Sequence, residues 1–162
     1  MTHTRRKVIG GGLLAGAMAW LGLGRSGDAQ AAKRFPLSLS DAEWRKRLSP
    51  AAYDVLRRHG TERAGTSPLD REKRAGVFSC AGCGQKLFAS RTKFDSGTGW
   101  PSFFQPLPGA VGTSTDRKLV FARTEVHCAR CGGHLGHVFD DGPRPTGKRY
   151  CMNGVAMRFT PT

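Results

Sequence analysis

Cys80-Ala81-Gly82-Cys83-Gly84 and Cys128-Ala129-Arg130-Cys131-Gly132 are two copies of one C-x-x-C-G pattern, with 44 residues, 84 to 127, between Cys83 and Cys128. Each copy offers two thiolates. The glycine after the second cysteine permits a tight turn that aims both sulfurs at one point, and four thiolates satisfy tetrahedral Zn(II). Cys80, Cys83, Cys128 and Cys131 are therefore expected to hold one structural zinc ion, because four protein ligands leave no position open for a substrate. Iron fits the same four sulfurs. A pair of disulfides is the competing reading, but a bridge within C-x-x-C closes a very small loop and is typically redox-active. The metal would tie a hairpin near residue 80 to one near residue 130 and so add folding free energy to a small core.

Working outward from these knuckles, the chain after Gly76 is cut by Gly and Pro into short segments rich in Val, Phe and Thr: 77–79, 86–88, 119–127, 135–139 and 155–159. That spacing predicts a small antiparallel β core. The stretch from Phe94 to Gly112, with Pro101, Pro106 and Pro108, reads as an ordered loop. Upstream, Ser40-Asp41-Ala42-Glu43 has the form of a capping box and starts a short helix that carries Trp44 and Leu48 on one face. A second helix begins at Ser49 with Pro50 in its first turn, carries Tyr53, Val55 and Leu56, and stops at Gly60. The fold class is thus mainly β with short N-terminal helices.

The first residues speak of an address. Thr4-Arg5-Arg6-Lys7 precedes an apolar run, Val8 to Leu23, diluted by five glycines, and Ala29-Gln30-Ala31 offers a small-residue cleavage site. Residues 1–31 are expected to be a twin-arginine export signal rather than a membrane anchor, residues 32–39 a linker, and residues 40–162 the single catalytic domain. The formal charge is +14; the first 31 residues carry four cations and one carboxylate, so the remainder is still at +11. These cations are dispersed, with no aromatic-interleaved basic run, so they read as a solvated surface and argue against a nucleic-acid partner.

Five cysteines less four for the metal leave Cys151, in Arg149-Tyr150-Cys151-Met152-Asn153-Gly154. An odd cysteine is either an inert buried residue or a reactive thiol. Arg149 lies on the same side as Cys151 if the segment is extended, and its charge favours a thiolate. In Cys131-Gly132-Gly133-His134-Leu135-Gly136-His137 two histidines can serve as ligands or as acid-base groups. With four sulfurs already filling a tetrahedron, acid-base work is the better use.

At this point the chain resembles a known family, the methionine-R-sulfoxide reductases of the B type, from about residue 40 to 160. Five blocks in the right order carry the resemblance: Cys80 to Gly84; Lys93-Phe94-Asp95-Ser96-Gly97-Thr98-Gly99-Trp100-Pro101-Ser102-Phe103; Cys128 to Cys131; His134 to Pro143; and Pro145 to Asn153. The resemblance implies a β-tent-like antiparallel core with a zinc ion away from the active site. It also implies that the Cys151 thiolate attacks the sulfur of methionine sulfoxide and is left as a sulfenic acid. His137, and after it His134, would protonate the departing oxygen; Trp100 would pack on the substrate methyl group with Phe139 completing an apolar wall; Asn153 and Arg149 would orient the oxygen side and the thiolate.

Two departures matter. Thr98 stands where many members carry a second, resolving cysteine, and Gly154 where serine is frequent. No free thiol remains to resolve a sulfenic acid, so recycling is expected from an external reductant, a thioredoxin-like protein or a small thiol, acting on a monomer whose substrates are oxidised proteins or peptides. No stable membrane insertion is expected once the signal is removed, and the export route implies a periplasmic or otherwise exported location. The rival from another class is an exported zinc-ribbon binding module without turnover.

Overall fold

A computed structural model describes residues 35–117 and 121–162, so the export signal, the first residues of the linker and the start of the segment expected at 119–127 lie outside the described residues. Helix α1 (Asp41–Arg47) opens with the expected capping box: the Glu43 N–H donates to Ser40 Oγ at 3.3 Å and the Ser40 N–H donates back to Glu43 Oε2 at 2.8 Å. Helix α2 (Pro50–Arg58) starts at Ser49, whose Oγ accepts from the Ala52 N–H at 3.2 Å. It ends one residue earlier than the sequence suggests, because His59 and not Gly60 takes the left-handed turn, at φ 59°. Trp44, Leu48, Ala52, Tyr53, Val55 and Leu56 are buried, so the two helices cover one side of the sheet structure with their apolar faces. No helix among the described residues is long and apolar enough to cross a membrane.

All strand pairings are antiparallel. Strands β1 (Gly76–Cys80), β2 (Lys86–Ala89) and β9 (Met157–Pro161) form a three-stranded sheet in the order β2-β1-β9. Strands β3 (Lys93–Phe94), β4 (Ser102–Phe103), β5 (Val111–Asp116), β6 (Arg123–Cys128), β7 (His134–Phe139) and β8 (Arg149–Met152) form a six-stranded one, in the order β3-β4-β8-β7-β6-β5. Aromatic rings join the two sheets: Phe88 of β2 stacks on Phe103 of β4 with centroids 4.3 Å apart, and Phe78 of β1 meets the same ring edge-on at 4.9 Å. All three are fully buried, each contributing about 2 kcal/mol or more from lost water contact.

The mainly β class with two short helices is as expected, but the strand map needs correcting. The segment expected as loop from 94 to 112 contributes β4, the second residue of β3 and the first two residues of β5. Backbone pairing organises it, β4 with β3 and β8 and β5 with β6, not side-chain pattern. Residues 154–156 form a 3-10 turn, so β9 begins at Met157 rather than at residue 155. β8 and β5 carry no strong apolar alternation, and β5 is an edge strand with an exposed centre.

Candidate functional site

The knuckle turns form as the glycines require. Gly84 and Gly132 sit at φ 73° and 67°, and their N–H groups donate to Cys80 and Cys128 carbonyls at 2.9 Å each. All four sulfurs converge: Cys80 to Cys131 is 3.8 Å, Cys83 to Cys128 is 3.5 Å, and all lie within 4.8 Å of one another. Zn–S bonds of about 2.3 Å at tetrahedral angles place sulfurs about 3.8 Å apart, whereas a disulfide is about 2.05 Å. The four cysteines therefore fit one tetrahedral cation and are not paired as disulfides. The cluster is packed into the helical layer, with Arg57 Nη1 of α2 donating to the Cys131 carbonyl at 3.1 Å.

Cys151 sits elsewhere, on β8 between two neighbours fixed by register: Ser102 of β4 on one side and His137 of β7 on the other. It opens on a cleft of about 110 Å³ lined by Thr61, Trp100, Arg123, Gly136, His137, Phe139 and Asn153 as well as itself. Only glycine fits at 136, where a Cβ would lie 2.1 Å from the Cys151 carbonyl oxygen, so this close approach of β7 to β8 sets the floor of the cleft. Trp100 is held upright by its Nε1–H, which donates to the Glu62 carbonyl at 3.1 Å. Arg149 faces Phe139 across β7 and β8; its guanidinium lies 4.4 Å above that ring and is forked onto Asp141 at 2.8 and 2.9 Å. Burial pushes the Cys151 thiol above its ordinary range, and the Thr98 hydroxyl, the Arg149 charge and the Ser102 hydroxyl pull it part of the way back.

The two histidines part company. His137 lines the cleft and its Nε2 meets Asp116 Oδ2 at 2.8 Å; the carboxylate can only accept, so that nitrogen carries a proton. Burial lowers the His137 pKa, while Asp116 opposes the shift. His134 lies behind it, ring centroids 5.3 Å apart, buried at 2 % exposure, with Nδ1 at 2.8 Å from Glu125 Oε1 and a buried Nε2 that has no hydrogen-bond partner. Asn153 also borders the cleft, yet its amide is committed: Oδ1 accepts from the Glu62 N–H at 2.9 Å and Nδ2 donates to the Leu135 carbonyl at 3.0 Å. A side chain at Gly154 would collide with Ser67 Oγ, so that departure from the family pattern is matched by its surroundings.

Sequence reasoning missed Glu62, Asp116, Arg123 and Glu125. Glu62 accepts from the Gly154 and Val155 N–H groups, tying the loop after α2 to the turn after β8. Asp116 and Glu125 are acids inside strands, and only the folded structure shows that they meet the histidines. Glu125 is held down to about 2, chiefly by the His134 hydrogen bond and against the effect of burial. Its folded pKa thus lies below that of an ordinary glutamate, so its contribution is present above the ordinary value and is lost as pH falls toward 2. Glu125→Gln should cost on the order of 2–3 kcal/mol at pH 7, and the gap to the parent protein should shrink on acidification. Urea melts from pH 7 to pH 3 measure it; a gap independent of pH would remove the ionic account.

Comparison with other proteins shows the family. A SelR domain model matches residues 48–161. The peptide methionine sulfoxide reductase MsrB of Agrobacterium fabrum is 55% identical over 123 residues, 75% of this chain and 91% of that protein. That of Leifsonia xyli is 55% identical over 129 residues, 78% of this chain and 93% of its own, and the chloroplastic B1 enzyme of Arabidopsis thaliana is 55% identical over 123 residues, 75% of this chain and 61% of its own. With the family model covering most of the described chain and relatives above half identity matched nearly end to end, the chain belongs to the SelR-domain family, the peptide methionine sulfoxide reductases of the MsrB kind.

Proposed function

We propose that this oxidoreductase returns the R epimer of methionine sulfoxide in proteins to methionine, with Cys151 as nucleophile. The observation that carries the reading is a half-buried thiol on the floor of a small cleft whose walls are Trp100 and Phe139 and whose ionisable edge is His137. A sulfoxide methyl group suits the aromatic walls, and a cleft this small admits little water beside it. The thiolate sulfur attacks the sulfoxide sulfur, and the oxygen takes up a proton and ends on Cys151. The balance is thiol plus sulfoxide giving sulfenic acid plus thioether, so Cys151 is oxidised by two electrons as the substrate sulfur is reduced. His137 is the proton donor, with His134 behind it as the second candidate. Arg149 favours the thiolate by charge, and Asn153, spent on the Glu62 and Leu135 backbone, holds the cleft wall.

Cys80, Cys83, Cys128 and Cys131 would hold Zn(II), whose contribution is structural: it fixes two turns at the ends of β1 and β6. With Thr98 beside Cys151 in place of a cysteine, the sulfenic acid is reduced by an external dithiol protein or a small thiol. The twin arginines and apolar run at the start of the chain support export by the twin-arginine route after the metal is loaded, which would spare the C-x-x-C thiols from oxidation outside the cell. Offering R and S epimers of a peptide methionine sulfoxide with dithiothreitol tests the reading. Methionine should form from the R epimer alone; turnover of neither would favour a metal-stabilised binding module.

A further inference from the structure

A run of hydroxyl groups leads away from Cys151. Thr98 Oγ1 lies 3.9 Å from the Cys151 sulfur, Ser96 Oγ lies 2.8 Å from Thr98 Oγ1, Ser102 Oγ lies 2.7 Å from Ser96 Oγ, and Ser102 Oγ is 3.0 Å from the Trp100 carbonyl oxygen. The loop that brings Thr98 here is pinned: Gly97 N–H donates to Asp95 Oδ1 at 2.9 Å and the Gly99 carbonyl accepts from Gly65 N–H at 2.7 Å.

Each hydroxyl owns one proton, and a carbonyl can only accept. Ser102, fully buried, therefore gives its proton to the Trp100 carbonyl. Ser96 must then donate to Ser102, Thr98 to Ser96, and the thiol to Thr98. This is the one arrangement in which each of these four contacts is a hydrogen bond, and it needs the sulfur protonated. Once the thiol proton leaves to solvent, Thr98 turns its proton to the sulfur. Either the Ser96–Thr98 contact then lacks a proton, or Ser96 and Ser102 reverse and the Trp100 carbonyl loses its donor. Ionisation replaces the weak thiol–Thr98 bond by a charge-assisted one and forfeits one neutral hydroxyl bond.

We propose that Thr98, Ser96 and Ser102 together meter the ionisation of Cys151, Thr98 acting as donor to the thiolate while Ser96 competes for the same proton. Thr98 is the catalytic residue of the three because it touches the reacting sulfur; Ser96 acts through it, and Ser102, cross-strand from Cys151, both anchors the run and favours the thiolate itself. The other charged and titratable groups around Cys151 are Arg149 on its own strand, His137 with Asp116 on the β7 side, and Arg123 on the cleft wall; β4 and the 95–99 loop face it with hydroxyls. The inference rests on Cys151 being the reactive thiol, as the proposed function has it.

Counting bonds gives opposite signs for two small substitutions. Thr98→Val removes the donor to the thiolate and raises the Cys151 pKa. Ser96→Ala removes the competitor, so that ionisation no longer costs a neutral hydrogen bond, and lowers it. Each shift is expected to be about half a pH unit or more. The measurement is the pH dependence of iodoacetamide alkylation at Cys151 in the full chain carrying its metal, read by mass spectrometry on the 150–158 peptide. The expected result is a midpoint that rises in Thr98→Val, returns in Thr98→Ser and falls in Ser96→Ala. Midpoints that move in the same direction in Thr98→Val and Ser96→Ala, or stay put in either, overturn the proposal. The readout needs no sulfoxide, so a failure of the reductase reading shows separately in the epimer assay.

Discussion

Cys151→Ser abolishes methionine formation, by at least about a thousandfold, while moving the melting temperature by no more than a few degrees. The first half follows from the chemistry: the serine hydroxyl is not ionised near neutral pH and no base touches it strongly enough to make it attack sulfur, so the covalent step is lost rather than slowed. The second half follows from the site. Cys151 is half-buried, its neighbours Thr98 and Ser102 are hydroxyls, and an oxygen in place of sulfur meets compatible partners. Steady-state assay with the R epimer and a thermal melt of the same sample check both halves. Residual turnover within tenfold of the parent protein would move the nucleophile elsewhere, and a large fall in melting temperature would make the activity loss uninformative.

Removing the metal with a chelator under reducing conditions should lower the melting temperature by about 10–20 °C, and Cys131→Ala should do the same. Structural zinc sites contribute upward of ~10 kcal/mol in minimal peptides; a domain with its own aromatic core draws on part of that, on the order of 5 kcal/mol, and each kcal/mol moves a domain of this size by ~2–4 °C. The structural reason is the position of the four sulfurs. They join the end of β1, in the three-stranded sheet, to the end of β6, in the six-stranded sheet, under the helical layer. Emptied of cation, three buried thiols and one half-buried thiol would crowd at 3.5 to 3.8 Å with nothing to neutralise them. No ligand cysteine lines the cleft of Cys151, so alkylation of Cys151 in the folded fraction should stay unchanged. An unaltered melt after complete metal removal would mean that the aromatic core alone joins the sheets.

Much of the site was legible because its residues announce themselves by count and spacing. Two C-x-x-C-G patterns consume four of five cysteines, and the remainder singles out Cys151 without any structure. Helix starts were legible at Ser40 and Ser49 because capping is a local transaction between a side chain and backbone three residues on. The strands β3, β4 and β8 were not, since they are two to four residues long and exist only through cross-strand hydrogen bonds that sequence neighbours do not supply.

The partners of the functional groups belong to tertiary structure for the same reason. Asp116 and Glu125 are 21 and 9 residues from the histidines they hold, and Glu62 reaches Gly154 across 92 residues. Thr98 reads from sequence as the place of an absent cysteine, while its place in a hydroxyl chain ending on the Trp100 carbonyl appears only after the 95–99 loop is folded against β8. The sequence by itself determined the family, the mainly β class and the four cysteines that come together, and it left Cys151 as the fifth, because residue type and short-range spacing carry that much. Only the tertiary structure decided which acid holds which histidine, what Asn153 is spent on and which hydroxyls line up beside Cys151, because hydrogen bonds are counted between atoms that meet in space and not between residues that are near in the chain.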